Sequence, residues 1–109
     1  MRPLVVFTGN LGKDAEVINL DGGRKVVVLS VATNESYTDS KGEKQQKTQW
    51  HTVKSFQKEV SEKFTDNLKK GTKIEVRGHL MYRPWEKEIG GETVKFTETY
   101  IDLVELGWV

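Results

Sequence analysis

Three short clusters hold the side chains best suited to chemistry in this chain. They are Asn34-Glu35-Ser36-Tyr37, Thr48-Gln49-Trp50-His51-Thr52-Val53-Lys54-Ser55-Phe56 and Leu80-Met81-Tyr82-Arg83-Pro84-Trp85. Each sets an aromatic ring beside Lys, Arg or Thr in a stretch that reads as strand or strand-to-loop. A ring is costly to leave in water, so rings interleaved with cations suggest a surface meant to be covered. Unpaired nucleobases suit that surface, because every base has a π-face to stack and its phosphate attracts a cation.

Period-two alternation sorts the middle cluster. Trp50, Thr52, Lys54 and Phe56 fall on one face of a strand, and Gln49, His51, Val53 and Ser55 on the other. Large aromatics usually fill cores, but Thr52 and Lys54 on the same face argue against a dry one. Stacking is therefore expected of Trp50 and Phe56, and phosphate contact of Lys54. For Trp85 beside Arg83, a surface cation–π pair is as good an account as nucleic-acid contact. Tyr37 reads as a contact or as the anchor of a polar loop. Lys41, Lys44, Lys47 and Lys58 would act diffusely through counterion release, or serve only solubility. The two histidines, His51 and His79, have no cysteine and no carboxylate spacing beside them, so no metal site or cofactor is expected.

The elements that must position these residues belong to one domain, residues 1–109, of 36% hydrophobic and 30% charged composition. No apolar run approaches the ~20 residues of a membrane span, and the apolar start Leu4-Val5-Val6-Phe7 is too short for a signal peptide. A cytoplasmic, nucleoid-associated location is the default expectation. Zero cysteines exclude disulfides, zinc ribbons and thiol catalysis. Net charge is only +1, yet the charges are sorted. From Lys41 to Lys58 five lysines face Glu43 alone, and from Glu86 to Glu105 six acids face two lysines. Such blocks allow local binding faces, although ordinary solvated surface explains them equally well.

Leu4 to Thr8 reads as a strand, broken by Gly9-Asn10-Leu11-Gly12, with extended structure resuming from Ala15 to Leu20. Asp21-Gly22-Gly23 is a hairpin turn leading into a second strand, Val26 to Thr33. Glu35 to Lys47 is expected to be a long mobile loop and Thr48 to Phe56 the third strand. Val60, Phe64 and Leu68, closed by Lys69-Lys70-Gly71, predict one short helix. Thr72 to Trp85 returns to strand, with Gly78 at a bulge or bend. Glu86 to Glu92 is a second loop, and Thr93 to Leu106 the last strand, where Phe96 and Tyr100 are expected to pack the barrel, with Phe96 bordering the groove as the alternative. This order predicts an all-β, five-stranded OB-fold Greek-key barrel with one short helix between strands 3 and 4.

Five collinear segments then resemble the bacterial single-stranded DNA-binding protein family. They are Gly9-Asn10-Leu11-Gly12-Lys13-Asp14-Ala15-Glu16-Val17, Val31-Ala32-Thr33-Asn34-Glu35-Ser36, Thr48-Gln49-Trp50-His51-Thr52-Val53, Leu68-Lys69-Lys70-Gly71, and Arg77-Gly78-His79-Leu80 through Arg83 and Trp85. The resemblance implies an OB-fold that assembles as a homotetramer, with a dimer as the alternative, and wraps single-stranded DNA without sequence preference. It implies stacking by Trp50, Phe56 and Trp85, a smaller ring at Tyr37 where relatives often carry tryptophan, and a subunit contact at His51. It makes the first strand, with Leu4, Val5 and Val6, the expected oligomer-forming edge. Met81 and Pro84 stand where relatives often have basic residues, which should weaken phosphate binding there. The sequence ends at Leu106-Gly107-Trp108-Val109, without the acidic tail that relatives use to recruit replication and repair proteins, so such partners are in doubt.

Non-enzymatic, sequence-independent binding and protection of single-stranded DNA in replication, recombination and repair is therefore the leading expectation. An OB adaptor of primosome type, or an RNA-binding OB protein, is the alternative. A nuclease is disfavoured, because Asp39, Glu43, Glu75 and Arg77 show no metal-binding spacing.

Overall fold

In the computed structural model, residues 2–56 and 65–109 are described. Alternation of apolar and polar residues builds six strands: β1 (Leu4–Leu11), β2 (Glu16–Asn19), β3 (Lys25–Thr38), β4 (Lys44–Ser55), β5 (Lys73–Ile89) and β6 (Glu92–Trp108). They form one sheet in the order β1-β5-β6-β4-β3-β2, and a further β1–β3 pairing at Asn10↔Ala32 and Leu11↔Val31 returns the sheet to its first strand. The joint between β4 and β6 is parallel and short, Val53↔Ile101 and Lys54↔Asp102. All other pairings are antiparallel.

The inward side of each strand supplies the core: Leu11, Val27, Leu29, Val31, Val53, Ile74, Val76, Ile101 and Leu103. Leu68 plugs it from the segment after the Thr65–Asn67 turn. That segment is tied to the end of β1 by backbone hydrogen bonds from Ala15 to Leu68, Gly71 to Leu11 and Leu11 to Thr72, all of 2.8–2.9 Å. Of the helix expected over Val60, Phe64 and Leu68, the first two positions, and Lys58 before them, lie outside the described residues, and its expected end is the short 3-10 turn Thr65–Asn67 followed by Leu68.

Several expectations are corrected. The sheet counts six strands among the described residues, because the extended stretch after Gly12 pairs with β3 as a strand of its own, Val17↔Val27 at its centre. Gly9 does not break the first strand. A Cβ there would stand 2.6 Å from the Ala32 carbonyl oxygen, so the glycine serves close approach of β1 to β3. Gly78 does mark a bulge: β5 and β6 shift register between Arg77 and Gly78, where Arg77 pairs with Glu105 and Gly78 with Leu103. Neither long loop exists. β3 and β4 continue as a paired arm to Thr38↔Lys44, and β5 and β6 to Ile89↔Glu92 across Gly90-Gly91. Backbone pairing carries these polar arms, and apolar patterning does not announce it. They lift the radius of gyration to 16.6 Å, against about 13 Å for a compact chain of this length.

Pro84 is tolerated in β5 because the β1–β5 ladder ends at Leu4↔His79, leaving the far half of β5 paired only with β6. Asp39 fixes the β3–β4 turn. Its Oδ1 accepts the Lys41 and Glu43 amides at 2.9 Å each, and its Oδ2 accepts from Gln45 at 3.2 Å.

The Glu43 amide, with smaller help from Gln45 and Lys41 and against partial desolvation, lowers the Asp39 pKa below its ordinary 3.8. The stabilisation of the turn is then fully present above that ordinary value and is lost as pH falls through the lowered one. A chemical-shift titration of the Lys41 and Glu43 amides should give a midpoint below 3.8; a midpoint at or above it would contradict this capping role.

Candidate nucleic-acid interface

The face of β4 opposite the core carries Trp50, Thr52 and Lys54, with Phe56 just beyond the strand. Val53 and Ser55 between them are 0% and 1% exposed, whereas Trp50 and Phe56 are 62% and 49% exposed. The same outward surface continues onto β5 and β6 through cross-strand neighbours Met81↔Tyr100, Arg83↔Glu98 and Trp85↔Phe96. Thr52, Lys54, Phe56, Arg83, Glu98 and Tyr100 border one open recess of about 540 Å³, floored by apolar side chains of β2 and β3.

Trp85 and Phe96 stack with centroids 4.4 Å apart and planes 18° off parallel. Phe96 is thus an outward ring, not barrel packing. Tyr100 also faces outward, beneath the Lys54 ammonium at 4.7 Å from its ring centre.

The indole of Trp50 lies across Gly12. A Cβ built at Gly12 would fall within 2.2 Å of the ring edge. Gly12 is held in place by its amide, which donates to the Ser30 carbonyl at 2.9 Å. A missing side chain thereby sets the orientation of the most exposed ring of the face.

The expected cations are arranged less simply. Lys54 Nζ meets Glu98 Oε1 at 2.5 Å, while Arg83 donates to Glu98 Oε2 from Nε at 3.1 Å and Nη2 at 2.9 Å. The hydrogen bond from Lys54, then that from Arg83, holds the Glu98 carboxyl below the usual carboxylate range against a smaller opposing effect of burial. Lys41, Lys44 and Lys47 are exposed along the β3–β4 arm.

Tyr37 is on strand β3 rather than in a loop, half exposed. It pairs with Gln45 and so falls on the opposite side of the β3–β4 ladder from Trp50, as does Lys47 opposite Glu35. The outer face therefore gathers Trp50, Thr52, Lys54, Phe56, Arg83 and Trp85 but not Tyr37.

Of the expected oligomer residues, Leu4 and Val6 are 59% and 50% exposed, while Val5 packs toward the core. His51 faces inward from Trp50, its Nε2 2.8 Å from Thr33 Oγ1 and its ring 4.9 Å from that of Phe7. Among the described residues no three His, Asp or Glu side chains converge as metal ligands, and no helix is long and apolar enough to cross a membrane.

Sequence reasoning missed Glu98 and the Trp85–Phe96 stack. A signal for both was present, because a hairpin centred on Gly90-Gly91 makes Arg83 face Glu98 and Trp85 face Phe96.

Gly12→Val should displace the Trp50 indole at a stability cost below about 1 kcal/mol, since the exposed ring can swing aside. With Trp85 and Trp108 replaced by Phe, the emission and acrylamide accessibility of Trp50 should change while urea unfolding barely moves. An unchanged emission spectrum would show that Gly12 does not set the ring.

Comparison with known proteins agrees with this geometry. The chain is 35% identical over 89 residues to the single-stranded DNA-binding protein of Rhizobium meliloti (strain 1021), covering 81% of this chain and 51% of that protein. It thus spans about half the length of that curated relative. The solved structure of a Plasmodium falciparum SSB complex with ssDNA superposes with a TM-score of 0.83 at 27% identity, covering 100% of this chain and 96% of the other. A deletion mutant of the Thermus aquaticus single-stranded DNA binding protein gives 0.79 at 26% identity, over 97% of this chain and 49% of that one. The family model described as single-strand binding protein family matches residues 4–106, and the chain belongs to that family.

Proposed function

We propose that this protein binds single-stranded DNA without sequence preference, and that it holds and shields such strands during replication, recombination and repair. The observation that carries the reading is the row of solvent-facing rings, Trp50, Phe56 and Trp85, set around Lys54 and Arg83 on one surface. Each ring can replace base–base stacking for about 1–3 kcal/mol, and the choice of base matters little because every base has a π-face. Cations on the face and on the β3–β4 arm neutralise the backbone and release its counterions. No bond is made or broken. Family membership, and likeness to a relative solved as a complex with ssDNA, support the same reading.

The closed circuit of pairings through β1, β5, β6, β4 and β3 fits a five-stranded OB barrel in which β1 and β2 act as one bent strand. Assembly as a homotetramer is part of the proposal. From Leu4 to Gly9, β1 pairs with β5 along one edge, and its other edge has no partner strand among the described residues. Exposed Leu4 and Val6 lie along it. A second copy can add its own β1 there, which removes a row of unpaired backbone groups from water. His51 lies near this strand through Phe7. A cytoplasmic, nucleoid-associated location goes with the proposed task.

Titration with oligo-dT should quench tryptophan emission, and the affinity should fall steeply with salt. Trp50→Ala should weaken binding by about 1–3 kcal/mol. Matched RNA and duplex DNA in the same buffer should bind more weakly. Equal or tighter RNA binding would move the reading to an RNA-binding OB protein, and no binding to dT would overturn it. Light scattering should return the mass of four chains. Two chains would leave only the β1 dimer, and a monomer would remove the edge-pairing proposal.

A further inference from the structure

Among the described residues that border the recess Glu98 is the one acid, and it holds Lys54 and Arg83, the two cations of that lining. Its two oxygens are divided between them: Oε1 takes the Lys54 ammonium at 2.5 Å, and Oε2 takes the Arg83 guanidinium through Nε and Nη2 at 3.1 and 2.9 Å. The three side chains come from β4, β5 and β6, so the cluster bridges the strands that carry Trp50, Trp85 and Phe96. A carboxylate with one oxygen on a lysine and the other on an arginine presents the contacts that two non-bridging oxygens of a backbone phosphate would make. Lys54 is further held over the Tyr100 ring, with its side chain only 20% exposed. In the free protein these two cations are already neutralised in part; Arg83 stays 61% exposed, so a phosphate competes with the carboxylate chiefly for Lys54, which is 20% exposed.

Resting on the single-strand reading, we infer that Glu98 is a built-in phosphate mimic that occupies Lys54 and Arg83 in the free protein and yields them to the backbone of a bound strand. It is a positioning residue: it keeps the two cations at a preset spacing while lowering affinity and salt sensitivity. The rings then carry a larger share of binding, so ring-mediated capture persists at salt concentrations that strip a purely cationic face.

Glu98→Gln keeps the side-chain shape and removes the charge. It should tighten oligo-dT binding about three- to tenfold near 0.1 M salt, and steepen log K against log salt by about 0.7, the share of one phosphate contact, because one opposing charge is removed. Glu98→Asp, too short to hold both cations, should fall between. In a Lys54→Gln, Arg83→Gln background the gain from Glu98→Gln should shrink to less than about twofold, as expected of coupled residues. Melting curves establish that each variant is folded at the assay temperature. Weaker binding by Glu98→Gln, an unchanged salt slope, or a full gain in the double-cation background would overturn the inference while leaving the single-strand reading intact. Failure of the parent protein to bind dT would overturn both.

Discussion

The alternation of β4 ties the core of this protein to its proposed function. Val53 has no exposed surface, and it meets Leu29 of β3 on one side and Ile101 of β6 on the other. With Val53 fixed, Thr52 and Lys54 must point outward, and Trp50 and Phe56 follow at the same period. A slip of one residue would bury an ammonium and an indole and expose the valine, a change no small core could absorb. Register, usually discussed as a matter of stability, here decides which residues a ligand meets.

The same constraint carries across the sheet. The turn at Gly90-Gly91 sets the β5–β6 ladder, and that ladder places Arg83 opposite Glu98 and Trp85 opposite Phe96. The outward surface therefore carries a stacked ring pair and a paired cation cluster, with the open indole of Trp50 beside them on β4. Lys54 and Glu98 are only 20% and 25% exposed, so their pairing also helps hold β4 to β6, whereas the exposed Arg83 adds little to folding.

Wherever apolar and polar residues alternate, the sequence was legible. Thr48 to Phe56 showed its strand and its faces, whereas the apolar run Val26 to Thr33 showed its strand alone. The arms were not legible, because Glu35 to Lys47 and Glu86 to Glu92 contain almost no apolar residues. Their order comes from backbone pairing and from the Asp39 turn, and neither leaves a hydrophobic period. Tyr37 was assigned to a loop for that reason. Glu98 was hidden differently. It lies 44 positions from Lys54 and 15 from Arg83, so only the fold brings the three together. The outward placement of Trp50, Phe56 and Trp85 could be read from type and spacing, while their electrostatic setting required the register.

The Trp85–Phe96 stack limits how a base can approach. One face of each ring is already used, with the planes nearly parallel at 4.4 Å. A base inserted between them would have to break a favourable aromatic pair, whereas a base laid on the outer indole face extends the stack and loses nothing. The pair also holds both rings in place before any ligand arrives, so less side-chain entropy is lost on binding. Trp50 has no such partner ring among the described residues. Its orientation rests on the bare backbone of Gly12, and its greater exposure leaves it freer to follow the base it meets. The face thus combines a rigid ring pair with an adaptable ring. That combination suits a strand whose bases differ in size and whose backbone has no fixed shape.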